Sequence, residues 1–123
     1  MRRLLASFVL SVLSSLCHAQ AYLDLSFPNG LTLSMYGGSN YPCPECGLDQ
    51  GAFMVRFNEN LNQSWYSNCL NQRFYINANS GGKAVYQALQ LAQLTGRKIT
   101  RILATPPNPN AYNTCLLHWV QVE

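Results

Sequence analysis

Residues 80–99 read Ser-Gly-Gly-Lys-Ala-Val-Tyr-Gln-Ala-Leu-Gln-Leu-Ala-Gln-Leu-Thr-Gly-Arg-Lys-Ile, and they mark the point where the hydrophobic period of the chain changes. Across 83–95 the apolar residues recur at helical spacing, which predicts one helix with a single apolar stripe. Gly96 suits the left-handed residue that ends many helices, and Arg97 and Lys98 follow where the helix dipole favours cations. The residues predicted for the stripe are Val85, Ala88, Leu89 and Ala92, with Leu91 and Leu94 beside them.

The segments on both sides of this helix alternate between apolar and polar residues, as half-buried strands do. Two alternating runs flank Pro28-Asn29-Gly30, and Asn-Gly between such runs predicts a β-hairpin. Gly and Pro concentrate in 37–51, and Pro and Asn in 105–113, which predicts two long loops. Further strands are predicted at 53–57, 64–67, 73–76, 99–104 and 116–122. This order predicts a single α+β domain, mainly β, built as a small partly closed barrel or as a sheet packed on the helix.

The first residues have the composition of an export signal. Two arginines precede an apolar run over 4–16, and small residues follow it. Cleavage after Ala19 or after Ala21 fits the small-x-small rule of signal peptidase. The run is about 13 residues long, which is short of the roughly 20 that span a bilayer. We therefore expect residues 1–19 to be a cleaved signal, with no membrane insertion, and residues 20–123 to form one secreted or periplasmic domain.

The chain is low in charge, because only 11% of its residues are Asp, Glu, Lys or Arg. About a quarter is usual, so the composition excludes an acidic or basic disordered tail. Without the two arginines of the expected signal, six basic and five acidic side chains remain, a formal charge of +1. We expect no nucleic-acid partner, because duplex binding needs clustered cations. A neutral polar ligand such as a glycan fits this composition better.

Four cysteines remain once Cys17 leaves with the signal, and an even number in an exported chain predicts two disulfides. Three connectivities are possible, of which we favour Cys43–Cys46 and Cys69–Cys115. The second bond would close a loop of about 45 residues and stabilise the fold by very roughly 3–4 kcal/mol on the chain-entropy model.

The motif Cys43-Pro44-Glu45-Cys46 leaves two other roles open. A thioredoxin-like redox pair would open a helix, whose N-terminus lowers the thiol pKa, whereas this motif lies in a loop rich in Pro and Gly. A zinc knuckle needs a second pair of ligands, and Cys69, Cys115 and His118 are not spaced as one. We therefore expect a disulfide-pinned loop with no metal and no cofactor. A periplasmic thiol–disulfide redox protein is the alternative function.

The C-terminal half carries a recurring arrangement of two cysteines around a helix and a final strand. Its members are Cys69, Tyr75, the helix of 82–95, Gly96, Arg97, Lys98, Ile99 and Cys115. Over about residues 65–123 it resembles a family of small exported bacterial proteins similar to the B subunits of subtilase cytotoxin and pertussis-like toxins. The resemblance implies an OB-type barrel of five or six antiparallel strands with one α-helix before the last two strands. It also implies a homo-pentamer that binds cell-surface glycans and carries an enzymatic A subunit.

Two segments offer the mixture of groups that sugar sites use. Aromatic rings cover the apolar side of a sugar, while amide and hydroxyl groups bind its hydroxyls. The first segment contains Tyr36, Asn40 and Tyr41, beside the cysteine loop, and the second contains Trp65, Tyr66, Ser67 and Asn68. For each segment the alternative is that the rings pack beneath neighbouring loops.

Catalytic chemistry finds little support in the sequence. Hydrolysis needs a nucleophile with a base, or paired carboxylates, and the five acids are scattered. His118 is the single histidine after the expected signal, and no Gly-x-Ser-x-Gly elbow exists. We therefore expect a secreted, non-catalytic protein that binds glycans like the toxin B subunits. A secreted protein–protein adaptor or inhibitor is a second alternative.

Overall fold

Six strands and one helix form the described part of the chain, residues 22–123 of a computed structural model. The strands are β1 (Leu23–Leu31), β2 (Leu33–Ser39), β3 (Ala52–Phe57), β4 (Phe74–Asn77), β5 (Ile99–Asn108) and β6 (Thr114–Val122), and helix α1 (Ser80–Thr95) lies between β4 and β5. Short 3-10 turns occupy Pro44–Cys46, Ser64–Asn68, Leu70–Gln72 and Pro109–Ala111. The expected export signal lies outside the described residues. Within 22–123, no helix is long and apolar enough to cross a membrane.

The strands form one sheet in the order β1-β5-β6-β4-β3-β2. β1 and β2 lie at opposite ends of this order, yet they are consecutive in the chain and only Thr32 separates them. One bent strand therefore joins the two edges and curls the sheet into an OB-like barrel, which confirms the expected fold class. One pair differs from the antiparallel expectation, since β4 and β6 run parallel where Tyr75 lies opposite Leu116. A parallel pair needs a crossover, and α1 with β5 provides it.

The bend at Thr32 takes one residue out of the hydrogen-bonded ladders, and the Glu59 carboxylate and the Asn58 backbone N–H replace the missing partners. The Glu59 carboxylate accepts hydrogen bonds from the Thr32 N–H at 2.6 Å and from its hydroxyl at 2.8 Å. The Asn58 N–H donates to the Thr32 carbonyl at 2.9 Å, and the Asn58 carboxamide donates to the Leu33 carbonyl at 3.2 Å. Backbone groups outside a ladder need such partners. The two residues that follow β3 therefore hold the strand where it changes partner.

The hairpin predicted at Pro28-Asn29-Gly30 is wrong. β1 pairs with β5 and β2 pairs with β3, so the two alternating runs do not pair with each other. The Asn-Gly signal marks an irregularity within β1 instead, because the register with β5 shifts between Ser26 and Leu31 and Gly30 has φ +77°. A β-carbon at Gly30 would also overlap the Lys98 side chain. Glycine serves a bulge here rather than a turn.

Helix α1 covers the core through part of its predicted stripe. Leu89 and Ala92 are buried, and Val85 is partly buried against them. Leu91 and Leu94 are 58% and 83% exposed instead, because steps of about 100° per residue turn them roughly 200° and 140° away from Leu89. The strand residues buried with the helix include Leu31, Val55, Phe74, Ile76, Ile102 and Leu117.

Local sequence determines both ends of α1. The Asn79 side chain accepts a hydrogen bond from the Gly82 N–H at 2.8 Å, which caps the first turn. Gly96 ends the helix with φ +69°, as predicted. Gly82 lies against the end of β4, where an added β-carbon would be 1.6 Å from the Asn77 carbonyl oxygen. Only glycine fits where this turn meets the strand.

Other segments differ from their predictions in type or extent. The strand expected at 64–67 is the turn Ser64–Asn68, whose rings pack against the core. β2 and β5 extend into the predicted loops, to Ser39 and Asn108. The Cys69–Cys115 disulfide is confirmed, and it fastens the loop before β4 to β6 inside the core.

We predict that Glu59→Ala lowers the free energy of unfolding by about 1–2 kcal/mol, because it removes both hydrogen bonds that the carboxylate accepts. The Thr32 hydroxyl then keeps only the Asn58 carboxamide as a partner. Glu59→Gln keeps one acceptor and is the matched control, with a smaller loss. Urea denaturation followed by tryptophan fluorescence measures both. Equal stability of the two variants would contradict this role.

A second prediction concerns the two glycines at the start of α1. Gly82→Ala should cost about 3 kcal/mol or more, since its β-carbon would overlap the Asn77 carbonyl. Gly81→Ala should leave stability unchanged or raise it by about 0.5–1 kcal/mol, because its β-carbon meets nothing closer than 3.7 Å and alanine favours the helix. Thermal unfolding of both variants provides the comparison, and similar midpoints would contradict the close approach.

Candidate ligand-binding face

The loop between β2 and β3 folds back over the outer face of the sheet, which points away from the core. The Cys43–Cys46 disulfide confirms the predicted pairing, and the Cys43 carbonyl accepts hydrogen bonds from the N–H groups of Cys46 at 2.9 Å and Leu48 at 3.0 Å. A second apolar cluster lies beneath this turn. Its buried members are Cys46, Leu48, Ala52, Tyr75 and Ala111, with Cys43, Met54 and Leu116 packed against them. Apolar packing thereby fixes the turn to β3 and β4.

A cleft of about 230 Å³ opens between the cysteine turn and the chain near residues 70 and 112, and we call it the tyrosine cleft. Tyr41 and Tyr112 line it and are 84% and 66% exposed. Met54, Leu70 and Tyr75 add to its apolar lining. Tyrosines that are apolar along the ring and polar at the hydroxyl are enriched at binding surfaces. Two exposed rings at one apolar cleft therefore make it the leading candidate site.

The backbone holds Tyr112 in an unusual conformation. Tyr112 and Asn113 follow the turn Pro109–Ala111 with φ +57° and +58°. The Asn113 N–H donates to the Asn108 carbonyl at 2.9 Å and so closes the connection between β5 and β6. A left-handed backbone is unfavourable for a bulky residue, by about 1–3 kcal/mol, and such residues concentrate at functional sites.

Hydroxyl and amide groups lie in and beside the tyrosine cleft. The Asn71 carboxamide donates to the Tyr75 hydroxyl at 3.3 Å. The Ser39 hydroxyl accepts a hydrogen bond from the Tyr41 N–H at 3.2 Å. The hydroxyl proton of Ser39 and the second amide proton of Asn71 are additional donors for a bound molecule.

Arg73 adds a positive charge beside the cleft. Its Nη1 lies 3.8 Å from the sulfur of Met54, and its Nε has no hydrogen-bond partner. Among residues 22–123 the ion pair joins Asp24 to Arg101, so no carboxylate pairs with Arg73. Arg56 is occupied differently, because its guanidinium donates to the carbonyls of residues 71 and 72. The unpartnered Nε is buried, so Arg73 contributes positive charge near the cleft rather than a free donor.

The first predicted sugar segment is divided between two faces. Tyr41 lines the cleft, and Asn40 is exposed next to it. Tyr36 lies opposite the buried Val55 and its ring is 6.2 Å from that of Tyr86 on α1, so it faces the helix side. The cleft residues that the sequence did not indicate include Met54, Leu70, Tyr75 and Tyr112. A tyrosine inside the Pro- and Asn-rich loop 105–113 was the available signal for Tyr112.

The second predicted segment lies away from the cleft, and its rings are half-buried. Trp65 and Tyr66 pack against Phe74, with ring centroids 6.2 Å and 5.3 Å from it. The Trp65 indole donates to the Gln63 side chain at 3.1 Å, and the Tyr66 hydroxyl donates to the Gln72 carbonyl. Burial raises the pKa of the Tyr66 phenol. These contacts favour packing of the two rings, while Ser67 and Asn68 are exposed.

A second cavity, of about 530 Å³, lies on the other side of the cysteine turn. We call it the proline basin, and its lining includes Pro106, Pro107, Pro109, Glu45, Thr105 and His118. His118 Nε2 is 2.6 Å from the Thr105 hydroxyl, and the Tyr22 ring meets the imidazole edge-on at 4.9 Å. Burial lowers the pKa of His118 below its usual 6.5. The imidazole is therefore neutral at pH 7.

The disulfides bear on the other roles considered for the cysteines. All four cysteines of residues 22–123 are paired, so none is a thiolate ligand for zinc. Within the same residues, no group of three or more His, Cys, Asp or Glu side chains could hold a metal ion. Cys43 comes directly before the three-residue turn Pro44–Cys46, which contains the acid Glu45 and ends at Cys46. A thiol pKa is lowered by the N-terminus of a long helix or by a neighbouring cation, and a short turn with an acid provides neither.

The position of His118 predicts how stability depends on pH. Its pKa is lowered in the folded chain, so its contribution is complete above pH 6.5 and is lost as the pH falls through the folded value. We expect the melting temperature to fall between pH 6.5 and 5, and to fall less in His118→Gln, which keeps a partner for Thr105. Asp24, whose pKa the Arg101 hydrogen bond lowers below 3.8, titrates outside this range. Parallel pH profiles of the two proteins would contradict the prediction.

Comparisons with known protein families, with curated proteins and with solved structures find no match to this chain. The likeness to toxin B subunits therefore stays an expectation from the sequence. What the cleft and the basin bind has to be inferred from their own residues.

Proposed function

We propose that this chain is an exported, non-catalytic binding protein and that the tyrosine cleft holds a carbohydrate. The observation that carries the proposal is the pair of exposed rings, Tyr41 and Tyr112, at the same apolar cleft. The apolar face of a sugar ring stacks on an aromatic ring, and the sugar hydroxyls need donors and acceptors close by. A site of this kind needs geometry and hydrogen bonds but no catalytic group.

The polar groups near the cleft support a sugar more than a purely apolar ligand. Ser39, Asn71 and the Tyr75 hydroxyl offer both donors and acceptors within a small region. Arg73 adds a positive charge that no carboxylate of the described part pairs with. A hydrocarbon ligand would use none of the remaining donors and acceptors of these groups, whereas a polyhydroxylated ligand can pair with them.

The position of the cleft in the fold gives further support. β3 and β4 with the loops beside them correspond to the face that OB barrels commonly use for oligosaccharides and oligonucleotides. The charge of +1 expected for the exported chain disfavours an oligonucleotide, since phosphate binding needs several cations. Two disulfides are typical of a chain that folds in an oxidising compartment, in line with secretion or a periplasmic location.

Assembly into a homo-pentamer that carries an enzymatic A subunit is part of the same proposal. It comes from the resemblance of residues 65–123 to toxin B subunits. The exposed Leu91 and Leu94 of α1 support a contact with another chain, because two neighbouring exposed leucines gain by burial. Light scattering that gives the mass of a monomer at all concentrations would remove the pentamer but leave the sugar site.

We expect Tyr41→Ala and Tyr112→Ala each to weaken binding of the best glycan about two- to tenfold, because each removes one stacking face worth roughly 0.5–1.5 kcal/mol. A glycan array identifies the ligand, and calorimetry measures the variants. Tyr36→Ala is the matched control, since it removes an exposed tyrosine of β2 that lies on the opposite face of the sheet. Wild-type affinity in both cleft variants would contradict the proposed site.

The two alternative functions, a redox protein and a protein adaptor or inhibitor, predict different experimental results. A redox protein would reduce insulin disulfides through Cys43 and Cys46. A protein adaptor or inhibitor would give no glycan hit but would capture a defined protein from the source organism. Neither has a feature as specific as the paired tyrosines.

A further inference from the structure

The proline basin has a charge pattern that the tyrosine cleft lacks. Glu45 is the one charged side chain among its lining residues, and it forms no hydrogen bond or ion pair within residues 22–123. No lysine or arginine lines the cavity. The His118 imidazole, neutral at pH 7, adds no positive charge. A single unpaired carboxylate therefore determines the electrostatic preference of this cavity.

Part of the basin wall is apolar, and the polar groups beside it are the uncharged side chains of Thr105, Asn108, Thr114 and His118. Pro106, Pro107 and Pro109 form one side, and Leu116 contributes to the lining. Prolines are rigid, so a ligand that covers them orders few protein torsions. An aliphatic stem can lie along such a surface while a charged group at its end stays in partial contact with water.

Aromatic rings complete the lining. Tyr22 and His118 meet edge-on, and Thr105 holds the imidazole at 2.6 Å. The electron-rich face of tyrosine attracts a nearby cation. The volume of about 530 Å³ lies within the range of small-molecule sites, and it exceeds what a single alkyl chain requires.

We propose that the proline basin is a second binding site, which takes a primary alkylammonium group: the stem lies on the prolines and the ammonium group pairs with Glu45. Two sources have this chemistry, a free diamine and a lysine side chain of a peptide. The site is separate from the tyrosine cleft and does not depend on sugar binding there.

The test is an NMR titration of the full exported chain at pH 7.5 with three probes. Nα-acetyl-lysine methylamide and cadaverine carry the ammonium group, and Nα-acetyl-norleucine methylamide has a similar stem without it. We expect amide shifts at Gly47, Thr105 and His118, and binding of at least one ammonium probe about fivefold tighter than the norleucine probe. Tighter binding of the lysine probe identifies a peptide source, and tighter binding of cadaverine identifies a free amine. Equal binding of all three probes would overturn the proposal.

Glu45→Gln isolates the charge, and folding is not at risk because the side chain is exposed and unpaired. This variant should bind the ammonium probes no better than the norleucine probe. Glu123→Gln removes the same charge at the far end of β6 and should bind like the wild type. Full affinity in Glu45→Gln, an equal loss in Glu123→Gln, or shifts confined to Tyr41 and Tyr112 would each overturn the site.

Discussion

A single strand that serves both edges of the sheet is the constraint on which this barrel depends. The strand can change partner only if the backbone at Thr32 finds hydrogen bonds outside the two ladders, and the Glu59 carboxylate and the Asn58 N–H supply them. Both residues come directly after β3, the strand that pairs with β2. The same short piece of chain therefore aligns one half of the barrel and stabilises the bend that leads to the other half. The interior behind this bend is apolar and needs no buried charge, in keeping with the low charge of the sequence.

The two disulfides have different positions in this architecture. Cys69–Cys115 lies within the core and ties an irregular segment to the last strand. Cys43–Cys46 lies on the outer face, where it forms a wall between two cavities that differ in character. One cavity is bordered by exposed tyrosines and amides, and the other by prolines and a lone carboxylate. Cys46 of the cysteine turn lines both cavities, as does Thr114 at the start of β6. The cysteine turn therefore contributes to the shape of each cavity.

Features encoded locally in the sequence were predictable. The helix and its Gly96 end follow from hydrophobic period and backbone preference, and both cysteine pairs agree with the pairing favoured from the sequence. Long-range choices were not predictable. Asn29-Gly30 has the same local signal in a hairpin and in a bulge, and only the pairing with β5 decides between them. Likewise Tyr41, Trp65 and Tyr66 look alike in the sequence, as aromatic residues among polar neighbours. In the fold Trp65 and Tyr66 pack against Phe74, whereas Tyr41 stays exposed. Tyr112 lines the cleft because the connection from β5 to β6 meets the cysteine turn, a contact between segments that are distant in the sequence.

The pairing of β1 with β5 has a consequence for the order of folding. Leu23 lies opposite Ala104, and Lys98 and Glu123 exchange backbone hydrogen bonds at 2.9 Å, so the barrel joins segments far apart in the chain. Loops of that length must close before their contacts contribute, which slows folding compared with a helical domain of the same size. Until β6 is available, β4 has only β3 beside it and the core lacks Cys115 and Leu117. A chain that is synthesised from its N-terminus therefore stays open, with apolar strands uncovered, until β6 is free to pair.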